Sequence, residues 1–104
     1  MSVSSEPYAI VFPEWYGGRA EFEAPFKGHL SGVVVRLENG PSYNLCFTDR
    51  FRLQQTLEDE FNAGREYYME PGLFVIPEVT TEAIRTAIRG LWRDGYFQYL
   101  KHCE

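Results

Sequence analysis

The segment LSGVVVRLENGPSYNLCFT, residues 30–48, contains two apolar runs that alternate with polar residues around a turn sequence, NGP. A period of two is typical of β-strands with one buried face, so we expect a hairpin of strands 30–38 and 42–48. Asn-Gly favours a two-residue turn, but that turn would set apolar residues beside polar ones. A loop of odd length, 39–41 or 38–42, pairs apolar with apolar, and we expect this register.

The odd loop decides which side chains form the core, because a slip of one residue would turn all of them to the other face. Gly32 interrupts the first strand and marks either a β-bulge or a close backbone approach. The apolar residues that this loop sets side by side are Leu37, Val35 and Val33 of the first strand and Tyr43, Leu45 and Phe47 of the second.

Two further strands are predicted on the N-terminal side of the hairpin. Residues 8–12 are a short apolar run that ends at Pro13, which is typical of a buried strand. Residues 19–24 read RAEFEA and alternate charged with apolar residues, so we expect a strand with one wet face that ends at Pro25. Its inward residues would be Ala20, Phe22 and Ala24, and its outward residues would be Arg19, Glu21 and Glu23.

A helix is predicted directly after the hairpin. Asp49 can accept a hydrogen bond from the first helical turn as N-cap, and Gly64 can end the helix in the left-handed conformation. Between them Leu53, Leu57 and Phe61 recur at every fourth residue, which predicts a buried stripe.

A short apolar strand, residues 73–76, and a second helix complete the predicted elements. Thr80 is the expected N-cap of this helix, and Val79 with Ile84 can form a hydrophobic staple. Residues 96–100 are compatible with either another strand or a short docked helical turn. The buried stripe predicted for the second helix consists of Ile84, Ala87, Ile88, Leu91 and Trp92.

These elements predict an α+β fold with the order β-β-β-β-α-β-α. We expect a mainly antiparallel sheet of about five strands with two helices packed on one face, because this arrangement covers every apolar stripe. With 104 residues, the chain has the size of one compact domain, whose ends, residues 1–7 and 101–104, we expect to be frayed.

The composition limits the classes of partner. The formal net charge is −5 and the isoelectric point is about 5.0, and an acidic chain repels polyanions. We therefore expect neither nucleic acid nor membrane as a partner. The two cysteines, Cys46 and Cys103, lie far apart without metal-ligand spacing, and no apolar stretch is long enough for a membrane span. The simplest interpretation is a soluble cytoplasmic protein with free thiols.

No catalytic residue, metal ligand or cofactor is predicted. His29 and His102 have no neighbour at ligand spacing, and the His102-Cys103-Glu104 tripeptide lies on a tail without fixed geometry. Neither a nucleophile turn nor a glycine-rich phosphate loop occurs, so the sequence does not support an enzyme. On the second helix Arg85, Arg89 and Arg93 form a row that either contacts an anion or is the solvated face of the helix.

The aromatic residues are the most informative functional feature. Trp15, Tyr16, Tyr67 and Tyr68 fall in connections, where such rings either cover the core or form a recognition surface. We expect the recognition surface to include the charged sheet residues Arg19, Glu21, Glu23 and Arg36.

The function that follows is that of a small soluble protein of bacterial type that binds without catalysis. Its partner would be another protein, such as a basic enzyme that it inhibits, or a second copy in a homodimer. The alternative is a small enzyme or a small-molecule-binding protein with a pocket near Trp15 and Tyr16.

Overall fold

The computed structural model describes residues 7–100. The predicted frayed ends lie outside these residues except for Pro7, whose carbonyl oxygen accepts a hydrogen bond from the backbone N–H of Glu38 at 2.9 Å. No helix in the described part is long and apolar enough to cross a membrane. The elements are β1 (Tyr8–Val11), α1 (Gly18–Lys27), β2 (His29–Leu37), β3 (Ser42–Thr48), α2 (Arg50–Asn62), β4 (Leu73–Val75), α3 (Thr81–Arg93) and a 3₁₀ helix (Tyr96–Tyr99).

The strands form one mixed sheet in the order β1-β2-β3-β4. The pairs β1–β2 and β2–β3 are antiparallel, but β4 is parallel to β3, because α2 carries the chain back before β4 begins. The α+β class is confirmed. The prediction of about five mainly antiparallel strands is wrong for the described residues, which form four strands with one parallel pair.

The hairpin of β2 and β3 has the predicted faces. Val35 lies opposite Tyr43, and Val33 lies opposite Leu45, so the odd loop is confirmed. The pairing is shifted by two residues from the loops we expected, because the Leu37 N–H donates to the Pro41 carbonyl oxygen at 2.8 Å and leaves residues 38–40 as the loop. The register also shifts between Leu30 and Val33, so the bulge predicted around Gly32 is present.

The segment predicted as the second strand, residues 19–24, is a helix instead. The alternation is real, but Arg19 and Lys27 both pair with Glu23 at a spacing of four residues, at 3.1 and 3.9 Å, and such pairs stabilise a helix. Gly28, with φ of 70°, ends α1 and donates its N–H to the Ala24 carbonyl oxygen, which is the usual left-handed helix ending. Helix propensity and these ion pairs favour a helix more strongly than the six alternating residues favour a strand.

This correction changes which side chains are buried near the N-terminus. Of the three residues expected to face the core, only Ala24 is buried, and Phe22 is 71% exposed. Pro25, expected to end a strand, lies inside α1. The order of elements is therefore β-α-β-β-α-β-α followed by a 3₁₀ helix, and Arg19, Glu21 and Glu23 are helix residues that do not share a sheet face with Arg36.

The core lies between one face of the sheet and α3. Thr80 accepts a hydrogen bond from the Ala83 N–H at 3.0 Å as predicted for the N-cap, and Val79 and Ile84 are fully buried. The sequence of residues 96–100 is compatible with a strand or a helical turn. These residues contain a 3₁₀ helix, Tyr96–Tyr99, in which Phe97 is buried. The buried core residues are Tyr8, Ala24, Leu30, Val33, Val35, Leu37, Tyr43, Leu45, Phe47, Ile76, Val79, Ile84, Ile88 and Phe97.

Helix α2 has the predicted ends but not the predicted packing. Asp49 accepts a hydrogen bond from the Arg52 N–H at 2.8 Å, and Gly64 follows the helix with φ of 93°. No residue of α2 is buried, however, and none belongs to the core cluster. Leu53 shares a cavity with His29 and Thr48, whose side chains point away from the core. The prediction that both helices cover one face is wrong, because α3 covers the core face and α2 lies on the other.

Substitution of one apolar residue in each helix distinguishes the two environments. Ile88→Ala removes a fully buried side chain and is expected to lower the free energy of unfolding by about 2–5 kcal/mol. Leu57→Ala, at a half-buried position outside the core, is expected to lower it by about 1 kcal/mol. Urea denaturation of both variants measures the difference, and equal losses would contradict the assignment of α2 to the outer layer.

Candidate functional site

Three side chains with metal-binding and acid–base chemistry meet at one end of the sheet. His29 begins β2 and pairs with Thr48, so it lies on the same face as Cys46, two residues earlier on β3. His29 Nε2 and Cys46 Sγ are 3.2 Å apart. Glu70 joins them from the segment before β4, and the three ligand atoms all lie within 4.8 Å of one another.

The segment before β4 is held against β3 by a glycine. The Gly72 carbonyl oxygen accepts the Cys46 N–H at 2.8 Å, and Gly72 itself has φ of +75°. A Cβ at this position would lie 2.5 Å from the Asn44 carbonyl oxygen, so no larger residue fits without movement of the backbone. This close approach brings Glu70 over the sheet.

The local electrostatics keep the Cys46 thiol protonated. Burial, together with the neighbouring Glu70 carboxylate, raises the pKa of Cys46 to about 12. A thiol beside an imidazole can be a nucleophile only as the thiolate, and at neutral pH this group is a thiol with 4% exposure. The protonation of Cys46 therefore does not favour nucleophilic catalysis by the Cys46–His29 pair.

Tyr68 orients the carboxylate of this cluster. Its hydroxyl group donates to Glu70 Oε1 at 2.7 Å. This hydrogen bond is the main cause that lowers the pKa of Glu70, and it raises the pKa of Tyr68 to about 12. A cavity of about 210 Å³ opens beside the cluster and is lined by His29, Thr48, Arg52, Leu53, Thr56, Tyr68, Glu70 and Leu73.

A second concave surface, which we call the phenylalanine groove, lies between α1, the start of α2 and the segment before α3. Phe22, Phe26 and Phe51 are 71%, 79% and 69% exposed, and the rings of Phe22 and Phe26 are 5.7 Å apart. The groove has a volume of about 690 Å³ and is lined by Glu21, Phe22, Pro25, Phe26, Asp49, Phe51, Pro77, Glu78, Thr80 and Thr81.

Hydrogen bonds connect the elements that form the walls of the phenylalanine groove. The Gly28 carbonyl oxygen, just after α1, accepts hydrogen bonds from the Asp49 N–H at 2.9 Å and the Thr48 hydroxyl at 3.0 Å. On the other side of the groove the Thr81 hydroxyl donates to Glu21 Oε2 at 2.8 Å. The groove is therefore a formed feature of the fold.

The aromatic connection predicted as a recognition surface adjoins this groove. Tyr16 stacks on Phe12 with ring centroids 5.1 Å apart, and its hydroxyl group hydrogen-bonds the Thr81 hydroxyl at 2.8 Å. Tyr16 thus packs against the core as a lid, whereas Trp15 is exposed and touches Tyr16 edge-on. The lid interpretation therefore applies to Tyr16, and a recognition role for Trp15 stays a prediction.

The other predicted interaction residues do not form one surface. Glu21 lines the phenylalanine groove, while Arg19 pairs with Glu23 on an exposed face of α1. Arg36 is exposed on β2. Of the two tyrosines predicted as interaction residues, Tyr67 is exposed, whereas Tyr68 hydrogen-bonds Glu70.

The three arginines predicted as a row on α3 have different surroundings. Arg85 lies over the ring of Phe12, 5.3 Å from its centroid. Arg85 and Arg89 line a groove together with the carboxylates Glu78 and Glu82, so the local charge does not favour an anion. Arg93 lies outside that lining and pairs with the next residue, Asp94, at 3.0 Å.

Sequence reasoning missed Cys46 and Glu70 as partners of His29, and it missed Phe26 and Phe51 as surface residues. The His29–Cys46 proximity was not accessible from the register we expected, because the observed pairing is shifted by two residues and the further shift between Leu30 and Val33 places His29 opposite Thr48. Glu70 was not accessible either, because its place depends on the α2 crossover. The spacing of Phe22 and Phe26 would have indicated a shared helix face only if residues 18–27 had been assigned to a helix.

Comparison with protein-family models, with curated proteins and with solved structures finds no match for this chain.

Alanine at Gly72 tests whether the segment carrying Glu70 depends on close backbone contact. Gly72→Ala is expected to destabilise the fold by about 2 kcal/mol or more, because strain at positive φ adds to the clash with Asn44. Gly64→Ala is the control, since Gly64 also has positive φ but its added Cβ would meet no atom within 4 Å. Thermal unfolding compares them, and equal losses would show that the contact with Asn44 is unimportant.

The hydrogen bond from Tyr68 to Glu70 predicts a pH-dependent stability. Because the folded-state pKa of Glu70 is lowered, its contribution is present above the ordinary glutamate pKa and is lost as pH falls through the folded-state value. Tyr68→Phe is expected to lower the free energy of unfolding by about 1 kcal/mol at neutral pH, and the deficit should narrow as the pH falls through the lowered pKa of Glu70. Urea denaturation over a series of acidic pH values measures this. Tyr67→Phe is the control, and a deficit independent of pH would contradict the assignment.

Proposed function

We propose that this protein is a non-catalytic protein-binding domain that holds a basic amphipathic segment of a partner in the phenylalanine groove. The observation that carries the proposal is the exposure of Phe22, Phe26 and Phe51 around one concave surface. Clustered exposed apolar side chains with a polar rim are typical of interaction sites, and aromatic rings contribute strongly to binding energy.

The shape of the groove suits a short helical segment. Phe22 and Phe26 stand one turn apart on α1, and Phe51 from the start of α2 joins them in the lining with Pro25 and Pro77. Recognition of an amphipathic helix in such a groove uses apolar anchors at positions i, i+3, i+4 and i+7. The concave surface offers apolar contact on both walls.

The charges favour a basic partner. The charged residues in the groove lining are Glu21, Asp49 and Glu78, all carboxylates, and the chain has a net charge of −5. The Arg50 guanidinium group lies over the ring of Phe51, 5.1 Å from its centroid. This contact shows that the face of this ring can accept a guanidinium group. Lysine or arginine residues on a partner would gain both ion pairs and ring contacts.

The same charges argue against a second copy of this chain as the occupant. A two-fold axis through the groove would place one acidic lining against another, and like charges at an interface disfavour association. Self-association is therefore an outcome that the experiment has to distinguish.

The alternative of a small enzyme has less support. Tyr16 uses its ring and its hydroxyl group in packing, which does not favour a pocket at that position. The Cys46 thiol is protonated and buried, which does not favour nucleophilic catalysis.

A synthetic helical peptide of leucine and lysine, with leucines at i, i+3, i+4 and i+7, tests the proposal. We expect calorimetry to detect its binding and backbone NMR shifts to concentrate around the phenylalanine groove. Phe22→Ala and Phe51→Ala should each weaken binding by about 30-fold, as expected for an aromatic anchor. Both substitutions affect exposed rings, so stability should change by no more than about 0.5 kcal/mol.

The control variant is Tyr99→Ala, which removes an equally exposed ring from the 3₁₀ helix and should leave the affinity unchanged. A peptide with glutamate in place of lysine should not bind. Binding that survives both phenylalanine substitutions would refute the groove as the site. A concentration-dependent dimer that Phe22→Ala dissociates would assign the groove to a second copy and overturn the basic partner.

A further inference from the structure

We propose that His29, Cys46 and Glu70 form a binding site for a divalent transition-metal cation of the zinc type, with an open coordination position toward the adjoining cavity. The inference is independent of the phenylalanine groove. It rests on the convergence of one imidazole nitrogen, one sulfur atom and one carboxylate within 4.8 Å.

The donor set selects the class of metal. A thiolate is a soft ligand that Mg²⁺ and Ca²⁺ do not prefer, whereas Zn²⁺ accepts sulfur, nitrogen and oxygen together. Three protein ligands with one open position are typical of zinc sites that bind water or a small ligand. The combination of Cys46, His29 and Glu70 therefore matches zinc better than the harder cations.

The distances fit a tetrahedral ion. With Zn–S of about 2.3 Å and Zn–N of about 2.1 Å, two ligand atoms of a tetrahedral centre are roughly 3.5 Å apart. Cys46 Sγ and His29 Nε2 are 3.2 Å apart, close to this spacing, and the Glu70 ligand oxygen lies within 4.8 Å of both partners, so rotation of the side chains has to bring the three atoms to tetrahedral spacing. The ligands come from β2, β3 and the segment fixed by Gly72, so the backbone presents them together before any metal binds.

The charges balance. Binding releases the Cys46 thiol proton to solvent and forms the sulfur–metal bond, so the thiolate and the Glu70 carboxylate together neutralise the two positive charges of the ion. His29 binds as the neutral imidazole. A neutral cluster is the favourable state for a partly buried site, and Cys46 is buried.

The surroundings resemble the outer shell of a metal site. The Tyr68 hydroxyl group donates to Glu70 Oε1 at 2.7 Å, which orients the carboxylate and leaves it lone pairs for a metal. His29 and Glu70 line the cavity of about 210 Å³, and Arg52 lines it as well. The open position would thus face a polar space next to a cation, which suits water or a small anionic ligand.

The test is a titration of the full chain, stripped of metal with a chelator, with Zn²⁺ and with Co²⁺. Calorimetry is expected to give one tight zinc site per chain, and Co²⁺ should produce the thiolate-to-cobalt charge-transfer absorption of a tetrahedral site. Zinc should also raise the melting temperature by binding the folded state. Cys46→Ala should abolish the charge-transfer band and weaken zinc by roughly 100-fold or more. Glu70→Gln and Tyr68→Phe should weaken zinc by about 10- to 100-fold.

The control variant is His102→Ala combined with Cys103→Ser, which removes the other cysteine and its histidine neighbour from the chain and should keep all three signals. Melting of each variant without metal separates loss of the site from loss of the fold, and Glu70→Gln keeps the test valid if Cys46→Ala does not fold. Absence of tight zinc binding, its persistence in both Cys46→Ala and Glu70→Gln, or its loss in the control variant would overturn the proposal.

Discussion

The burial of one face of β2 and β3 beneath α3 is the constraint on which the remaining structure depends. Val33, Val35 and Phe47 from the strands and Ile88 from the helix are fully buried. Because side chains alternate along a strand, fixing this face also fixes which residues point the other way. Cys46 belongs to that second set, so the packing of the core determines where the thiol lies.

The opposite face of the sheet is covered by the connection between β3 and β4. Helix α2 begins immediately after β3 and returns the chain for a parallel pairing. The segment that follows it carries Tyr68 and Glu70 across the end of the sheet. Core formation and site formation are thus on separate faces, and the site can change without disturbing the residues that hold α3.

Most of the fold was predictable from local patterns, and the errors have identifiable physical causes. The β2–β3 faces, the N-caps Asp49 and Thr80 and the staple of Val79 and Ile84 follow from short-range chemistry that tertiary packing did not override. Residues 19–24 satisfied a strand pattern and a helix pattern at once, and the ion pairs of Glu23 were the discriminating signal. The partner strand of β4 and the layer of α2 depend on contacts between distant residues, which no local pattern encodes. The candidate site was not predictable, because the meeting of His29 and Cys46 depends on the observed register and its shift between Leu30 and Val33, and the place of Glu70 depends on the α2 crossover.

The joint between α1 and α2 has a consequence for how the phenylalanine groove could work. The Gly28 carbonyl oxygen receives two hydrogen bonds from residues 48 and 49, and the Arg52 guanidinium group donates to the Lys27 carbonyl oxygen at 3.2 Å. A groove whose walls are joined by hydrogen bonds at one backbone junction is formed before anything enters it. The entropic penalty of ordering would then fall on the incoming chain alone, and discrimination between candidates would reside in how long each stays bound.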